Sequence, residues 1–323
     1  MPSSRGSTHM PPALAPSRPR HELSLGTPFR LDLTVSALRR LPTNVVDVLT
    51  SDGQYLHAWA GAHGPLITRV SQPRADALAV TIEGDARDAG EHEQVLAMVR
   101  RTLGVDRDVS PFVSAAAGIP WLGPLAHRLR GLKPPRYRSL WEAFVNAILF
   151  QQVSLHAASA VVQRLIVAFG TPLVSEGTPL YLFPSAERVL GEADDTLRAM
   201  GISAGKIATL RRAGDAMRSG ELDEAMLEER SSADAAALLR RIKGIGPWTA
   251  TVILLRGFGR LDVFPLNDSG VARTLALVAG DAPFDVARVL STLGAQRGML
   301  YYHLLLARLE TRGEVGRPSV PAR

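Results

Sequence analysis

Two features in the last third of the chain are equipped for chemistry. The first is Lys243-Gly244-Ile245-Gly246-Pro247, entered through Arg240 and Arg241 and continued by Trp248-Thr249-Ala250. Glycines let the backbone turn sharply and leave its amides uncovered. Pro247 suits a first helical position, because it has no N–H to lose there. Uncovered amides at the positive end of a helix make a cradle for phosphate. The same pattern also describes a plain tight turn between two helices. The second feature is Asp268, which ends Asp262-Val263-Phe264-Pro265-Leu266-Asn267-Asp268 just before a helix expected from near Ser269. A carboxylate there caps that helix. It also stands one helix and one loop from the turn, where it could act on whatever the turn grips.

Positioning these groups requires a helical frame. From Ser110 onward apolar residues recur three and four apart, with Gly and Pro between the runs. That predicts about ten short helices: Leu140–Phe150, Leu155–Phe169, Ser185–Met200, Ser203–Ser219, Leu222–Arg230, Ala233–Arg240, Pro247–Arg256, Asp268–Val278, Asp285–Thr292 and Met299–Arg312. The region before it has a different texture. Phe29–Val35 alternates with a period of two, and later runs end near Trp59, Val70 and Ile82, separated by turn residues. An antiparallel sheet is expected there, with helices at Ser36–Arg40 and Glu91–Leu103. The fold class is α+β. An N-terminal sheet domain covers 21–108, and an all-α region of two subdomains covers 109–313, with its hairpin at 240–250. Residues 1–20 read as a flexible tail, with Ser7-Thr8-His9-Met10 as a cloning remnant, and 314–323 as a frayed end.

The 323 residues carry a formal net charge of +6. Much of it lies in residues 231–323, which hold 12 basic and 7 acidic side chains. An anionic partner fits that balance. The chain has no cysteine, which excludes disulfides, thiolate-held clusters and a cysteine nucleophile. Its histidines show no spacing typical of a metal site. Its three lysines are Lys133, Lys206 and Lys243, a short list for any mechanism needing an amine. There is no apolar run of membrane-spanning length and no signal-peptide core, so no membrane association and a cytoplasmic, nucleoid-associated location are expected.

Lys243–Ala250 followed by Asp262–Asp268 resembles the helix–hairpin–helix DNA glycosylase superfamily, and in particular the DNA-3-methyladenine glycosylase II (AlkA) type. Ala147-Ile148-Leu149-Phe150-Gln151-Gln152-Val153-Ser154 is similar to that family's Ile-Leu-Gly-Gln-x-Val-Ser element, with Phe150 in place of its glycine. Tyr181–Gly201 is similar to its Phe-Pro-x-x-x-Arg-Leu stretch, and His303 falls in its late helix. The resemblance spans roughly 105–312, and the 28–85 sheet is similar in pattern to a domain resembling half of a TATA-binding protein.

The resemblance implies a monofunctional base-excision enzyme that hydrolyses the N-glycosidic bond of alkylated purines, of the 3-methyladenine and 7-methylguanine type, after base flipping. Its partner would be double-stranded DNA containing damaged bases, bound by a monomer. Asp268 would be the catalytic carboxylate. Gln151, Trp248, Val252, Tyr302 and Leu305 would line the base pocket, and Gln152 would be the wedge. Val252 and Leu305 stand where the AlkA type has a Tyr and a Trp, which implies a wider, less aromatic pocket, with Tyr301 and Tyr302 nearby. Lys243, Gly244, Gly246 and Thr249 would hold phosphate. No cofactor is implied for catalysis. A monovalent cation, Na or K, would be held by the backbone of Arg240, Ile242 and Ile245. Bifunctional relatives have lysine at the Trp248 position, so no lyase activity is expected. The alternatives are a glycosylase for oxidised bases with lyase activity, and a non-catalytic helix–hairpin–helix DNA-binding protein.

Overall fold

The structure, a computed structural model, describes residues 20–26, 28–84, 89–280 and 285–316. The expected N-terminal tail up to residue 19 and the chain end from 317 lie outside the described residues. The first part contains β1 (Arg20–Ser24), α1 (Leu31–Arg39), β2 (Val48–Leu49), β3 (Tyr55–Gly61), β4 (Gly64–Arg74), β5 (Ala77–Glu83) and α2 (Ala89–Leu103). Among the described residues the five strands form one antiparallel sheet in the order β1-β5-β4-β3-β2.

Helix α1 departs from expectation, because Phe29–Val35 predicts a strand. Every residue of α1 is buried. Leu31, Val35 and Leu38 belong to the core of the sheet, whereas Leu33 and Ala37 belong to a second core with Leu125 and Leu304. Asp32, Ser36 and Arg39 do form a polar stripe at helical spacing, but the strict alternation of Phe29–Val35 overlies it and reads as a strand. Its start is set from a distance. The Gln72 side chain accepts the Leu31 amide and donates to the Phe29 carbonyl, both at 2.9 Å.

The second part begins with α3 (Ser110–Ala117), α4 (Leu122–Arg128), α5 (Leu140–Leu149) and α6 (Leu155–Phe169). A two-stranded hairpin follows, β6 (Thr171–Ser175) and β7 (Thr178–Leu182). The region is therefore not all-α. Glu176 (φ 46°) and Gly177 (φ 80°) make a two-residue turn with both central residues at positive φ, the geometry that suits a tight hairpin. Leu180 packs with Leu56, Ala58 and Ile67 of the sheet, which explains the strand propensity of its apolar residues.

The remaining helices are α7 (Ala186–Leu190), α8 (Asp194–Ala199), α9 (Ala204–Arg218), α10 (Glu224–Glu228), α11 (Ser232–Leu239), α12 (Pro247–Phe258), α13 (Ser269–Ala279), α14 (Val286–Leu293) and α15 (Gly298–Glu310). Expected bounds for α5, α6, α9 and α12 to α15 agree within two residues. The segment Ser185–Met200, expected as one helix, is interrupted between α7 and α8. Residues 314–316, expected to fray, are tied to α1: the Gly316 amide donates to Ser36 Oγ at 2.9 Å. No helix of the described residues is long and apolar enough to cross a membrane.

The two parts are bolted together around α12. Arg256 is 1% exposed, and its Nη2 donates to the carbonyls of Ala37 and Leu38 at 3.0 and 2.8 Å. A guanidinium on the last carbonyls of a helix satisfies acceptors that the helix itself cannot. Arg138 forms a second link, donating to Asp47 at 2.6 Å.

Candidate active site between the hairpin and Asp268

The turn between α11 and α12 is shaped by glycine. Gly244 lies at φ +105°, and a Cβ on it would stand 2.1 Å from Thr209 Oγ1. Backbone angle and close approach both require glycine there. Gly246 is the N-cap of α12 and Pro247 opens the helix. A Cβ on Gly246 would meet nothing within 4 Å. The first amide in the helical ladder is that of Ala250, which bonds the Gly246 carbonyl. The amides of Trp248 and Thr249 are thus outside the ladder, as in any helix start. Lys243, Arg240 and Arg241 are exposed around this turn.

Asp268 is the N-cap of α13. Its Oδ1 accepts the amides of Gly270 and Val271 at 2.8 and 3.0 Å. Its Oδ2 accepts the Trp248 indole Nε1–H at 3.0 Å. Capping and a cleft position therefore coexist in one side chain. Asn267 precedes it at φ +66°, a region that few side chains other than Asn and Asp visit readily. The incoming loop is held by Gly298, whose amide donates to Leu261 at 2.7 Å and where a Cβ would stand 2.9 Å from Leu261 Cα and 3.0 Å from the Val263 carbonyl.

Asp268 and the hairpin border one cleft of about 810 Å³. Gln151, Gln152, Gly244, Gly246, Trp248, Thr249 and Leu305 all line it, so most of the expected residues converge. Gln152 is exposed at its edge with φ +55°. Gln151 ties the end of α5 to the hairpin, its Nε2 donating to the Gly244 carbonyl at 3.0 Å and to Thr249 Oγ1 at 2.8 Å.

Several assignments need correction. Val252 is 1% exposed in the core, one turn deeper along α12, and does not line the cleft. Tyr302 is buried too, its hydroxyl donating between the carbonyls of Pro135 (3.0 Å) and Leu255 (3.1 Å). The face of α15 turned to the cleft carries Tyr301, Leu304, Leu305 and Arg308, and a neighbour at the next position points about 100° away. The Thr249 side chain is 3% exposed and already bonded to Gln151, so its hydroxyl is not open for phosphate. Arg240 is the C-cap of α11, and Ile242 and Ile245 follow it in the turn. The Ile242 carbonyl accepts the Ile245 amide at 3.0 Å and keeps a second lone pair, and oxygen is the donor type a hard cation takes.

The cleft also holds residues that the sequence reading did not select. Arg273 and Arg308 line it from α13 and α15, and Arg40 reaches it from the N-terminal part. Burial lowers the Arg308 pKa, and Asp268 opposes that shift. Arg308 was findable, because 301, 304, 305 and 308 share one helical face. Arg40 had no local signal. No lysine is among the cleft-lining residues, and Lys206 Nζ is engaged by the Leu149 carbonyl at 2.9 Å. No cluster of metal-binding side chains exists among the described residues.

Comparison with known proteins agrees with this geometry. Residues 145–288 match the HhH-GPD superfamily base excision DNA repair protein family. The chain is 28% identical over 188 residues to the DNA-3-methyladenine glycosylase of Bacillus subtilis, covering 58% of this chain and 62% of that one. It is 31% identical over 148 residues to DNA-3-methyladenine glycosylase 2 of Escherichia coli, covering 46% and 51%. The matches thus span about half to three-fifths of these two relatives. In three dimensions it superposes on a 3-methyladenine DNA-glycosylase from Archaeoglobus fulgidus with a TM-score of 0.71 at 23% identity, covering 88% of this chain and 97% of that chain. That likeness establishes the fold.

Proposed function

We propose that this chain, whose residues 145–288 belong to the HhH-GPD superfamily of base excision DNA repair proteins, is a monofunctional glycosylase that hydrolyses the N-glycosidic bond of alkylated purines in double-stranded DNA. The observation that carries the reading is Asp268, held by three hydrogen bonds in the same cleft as the phosphate-suited hairpin.

The chemistry follows from the charge that develops. As the base leaves, the deoxyribose takes on oxocarbenium character, and a fixed carboxylate beside it stabilises that charge. In a water-poor cleft this is worth several kcal/mol, and each ~1.4 kcal/mol is tenfold in rate. The same carboxylate orients the attacking water and accepts its proton. Flipping the base costs roughly a few kcal/mol, least for a damaged pair. Gln152, exposed at the cleft edge, fills the gap left in the stack. Trp248 offers an aromatic face, which attracts a cationic methylated base by ~0.5–2 kcal/mol.

The hairpin contributes uncovered amides and Lys243, which hold the DNA backbone without reading sequence. A monovalent cation at the carbonyls of Arg240, Ile242 and Ile245 would add positive charge to that contact. The enzyme acts as a monomer in the cytoplasm, on nucleoid DNA. The absence of lysine among the cleft-lining residues favours hydrolysis over a lyase mechanism.

The test is release of 3-methyladenine and 7-methylguanine from methylated duplex DNA by the purified chain. Release of these bases supports the proposal. DNA binding without release supports the non-catalytic reading instead.

A further inference from the structure

We propose that Gln151 is a positioning residue that couples the hairpin's hold on the DNA backbone to the placement of the wedge Gln152. The inference rests on the glycosylase reading, and it makes Gln151 the link between backbone grip and base extrusion rather than a contact to the base.

Gln151 lies just past the end of α5, and its side chain crosses to the hairpin. Its Nε2 donates to the Gly244 carbonyl at 3.0 Å and to Thr249 Oγ1 at 2.8 Å. A side-chain amide nitrogen carries two N–H donors, so both are committed to the hairpin and neither is left for a base. The two acceptors flank Gly246 and Pro247, the stretch proposed to meet phosphate. Among the described residues no other hydrogen bond joins 150–154 to 243–249.

The wedge residue stands between two anchors. On one side Gln151 is tied to the hairpin. On the other Ser154 caps α6, its Oγ accepting the Ala157 amide at 3.2 Å. Between them Gln152 lies at φ +55°, an angle that a non-glycine residue adopts at a cost and only when its surroundings enforce it. Gln152 and Val153 are both exposed, so packing of their own side chains does not set that angle. The tether at Gln151 and the cap at Ser154 do.

Both ends of the tether rest on α9. Lys206 Nζ donates to the Leu149 carbonyl at 2.9 Å, Thr209 packs against Gly244, and Arg212 Nη1 donates to the Lys243 carbonyl at 3.1 Å. These residues are three apart, so neighbouring turns of one helix hold the end of α5 and the hairpin together. Loss of the Gln151 amide therefore leaves the hairpin in place for phosphate and releases the wedge segment. A wedge must fill the stack as the base leaves it, and holding it ready in advance removes an ordering cost from that step.

The experiment compares wild type, Gln151→Ala, Gln152→Ala and the double variant. Three quantities are read: affinity for undamaged duplex DNA, extrusion by the fluorescence of 2-aminopurine placed beside 7-methylguanine, and single-turnover release of 7-methylguanine. Gln151→Ala is expected to keep the affinity within about twofold of wild type, because the phosphate contacts remain. That affinity also reports that the variant is folded. The extrusion signal should fall, and release should fall at least about tenfold. Adding Gln151→Ala to Gln152→Ala should lower release by less than about twofold, because the first residue acts through the second. Affinity and release falling together, or single effects that multiply in the double variant, overturn the coupling and leave the glycosylase reading intact. If wild type extrudes but releases no base, the glycosylase reading fails and extrusion alone decides: a lower signal in Gln151→Ala supports the coupling, and an equal signal overturns it. No extrusion by wild type overturns both.

Discussion

The indole Nε1–H of Trp248 donates to Oδ2 of Asp268 at 3.0 Å, joining the first turn of α12 to the cap of α13. Trp248 thus does two things: it presents a ring to the cleft, and it fixes the rotamer of the carboxylate. Trp248→Phe keeps most of the ring and removes the hydrogen bond. Stability should fall by about 1 kcal/mol, the usual net value of one such bond. Base release should fall at least tenfold, because Oδ1 stays held by the Gly270 and Val271 amides while Oδ2 loses the donor that fixes it towards the cleft. Single-turnover rates measure this, and an unchanged rate would mean that the indole N–H does not position Asp268.

The two hairpin glycines should respond differently. Gly246→Asp meets open space, so the fold should survive, while the new carboxylate faces the phosphate. Affinity for duplex DNA should drop roughly tenfold or more, equally for damaged and undamaged sequences. Gly244→Ala should instead lower thermal stability by more than about 1 kcal/mol, through strain at φ +105° and the contact with Thr209. Fluorescence-anisotropy titrations and thermal melts separate the two effects. A Gly246→Asp protein with wild-type affinity would place the phosphate contact elsewhere.

Borohydride trapping should yield no covalent protein–DNA complex. Lys206 is turned to the Leu149 carbonyl, and no lysine lines the cleft. A trapped adduct that is lost in Lys206→Ala or in Lys243→Ala would contradict the placement of these amines.

His303 makes stability depend on pH. Burial against Phe112 lowers its pKa from 6.5 to about 4, despite the bond from Nδ1 to the Met299 carbonyl at 2.8 Å. The unfolded chain therefore binds a proton that the folded chain refuses between those values. Stability is complete above about pH 6.5 and declines as pH falls towards 4, by on the order of 3 kcal/mol. His57 shifts the same way, to about 4, through burial and the nearby Arg138, with Asp47 opposing. Urea melts of His303→Phe should show a shallower decline over this window than wild type. An identical pH profile would remove His303 from the account.

How much of this was legible in the sequence depends on how local the cause is. Pro247 after Gly246, and Asp268 before a helical run, set their conformations within a few residues, and both stand where expected. The helical subset Tyr301, Leu305 and Arg308 required the phase of α15, which the adjacent tyrosines conceal: Tyr302 looked as suitable as Tyr301 and faces the core. Val252 looked like a pocket residue by position, but the α12 turn carrying it is already buried. Helix α1 was misread because the alternation of Phe29–Val35 masks the polar stripe of Asp32, Ser36 and Arg39. Hairpin β6–β7 had a usable signal in Glu176-Gly177 flanked by two Thr-Pro-Leu runs. Arg40 was beyond any local reading, since Arg256, far along the chain, holds the end of the helix that precedes it.

The central claim rests on the charge of Asp268. Asp268→Asn keeps one oxygen to cap α13 and loses the acceptor for the Trp248 indole, so stability should fall by about 1 kcal/mol. The decisive measurement is the single-turnover rate of 7-methylguanine release from methylated duplex DNA, by wild type and by Asp268→Asn. A loss of at least about 100-fold, equivalent to ~2.7 kcal/mol of transition-state stabilisation, is the predicted result. Equal rates for the two proteins, both folded at the assay temperature, would contradict the account.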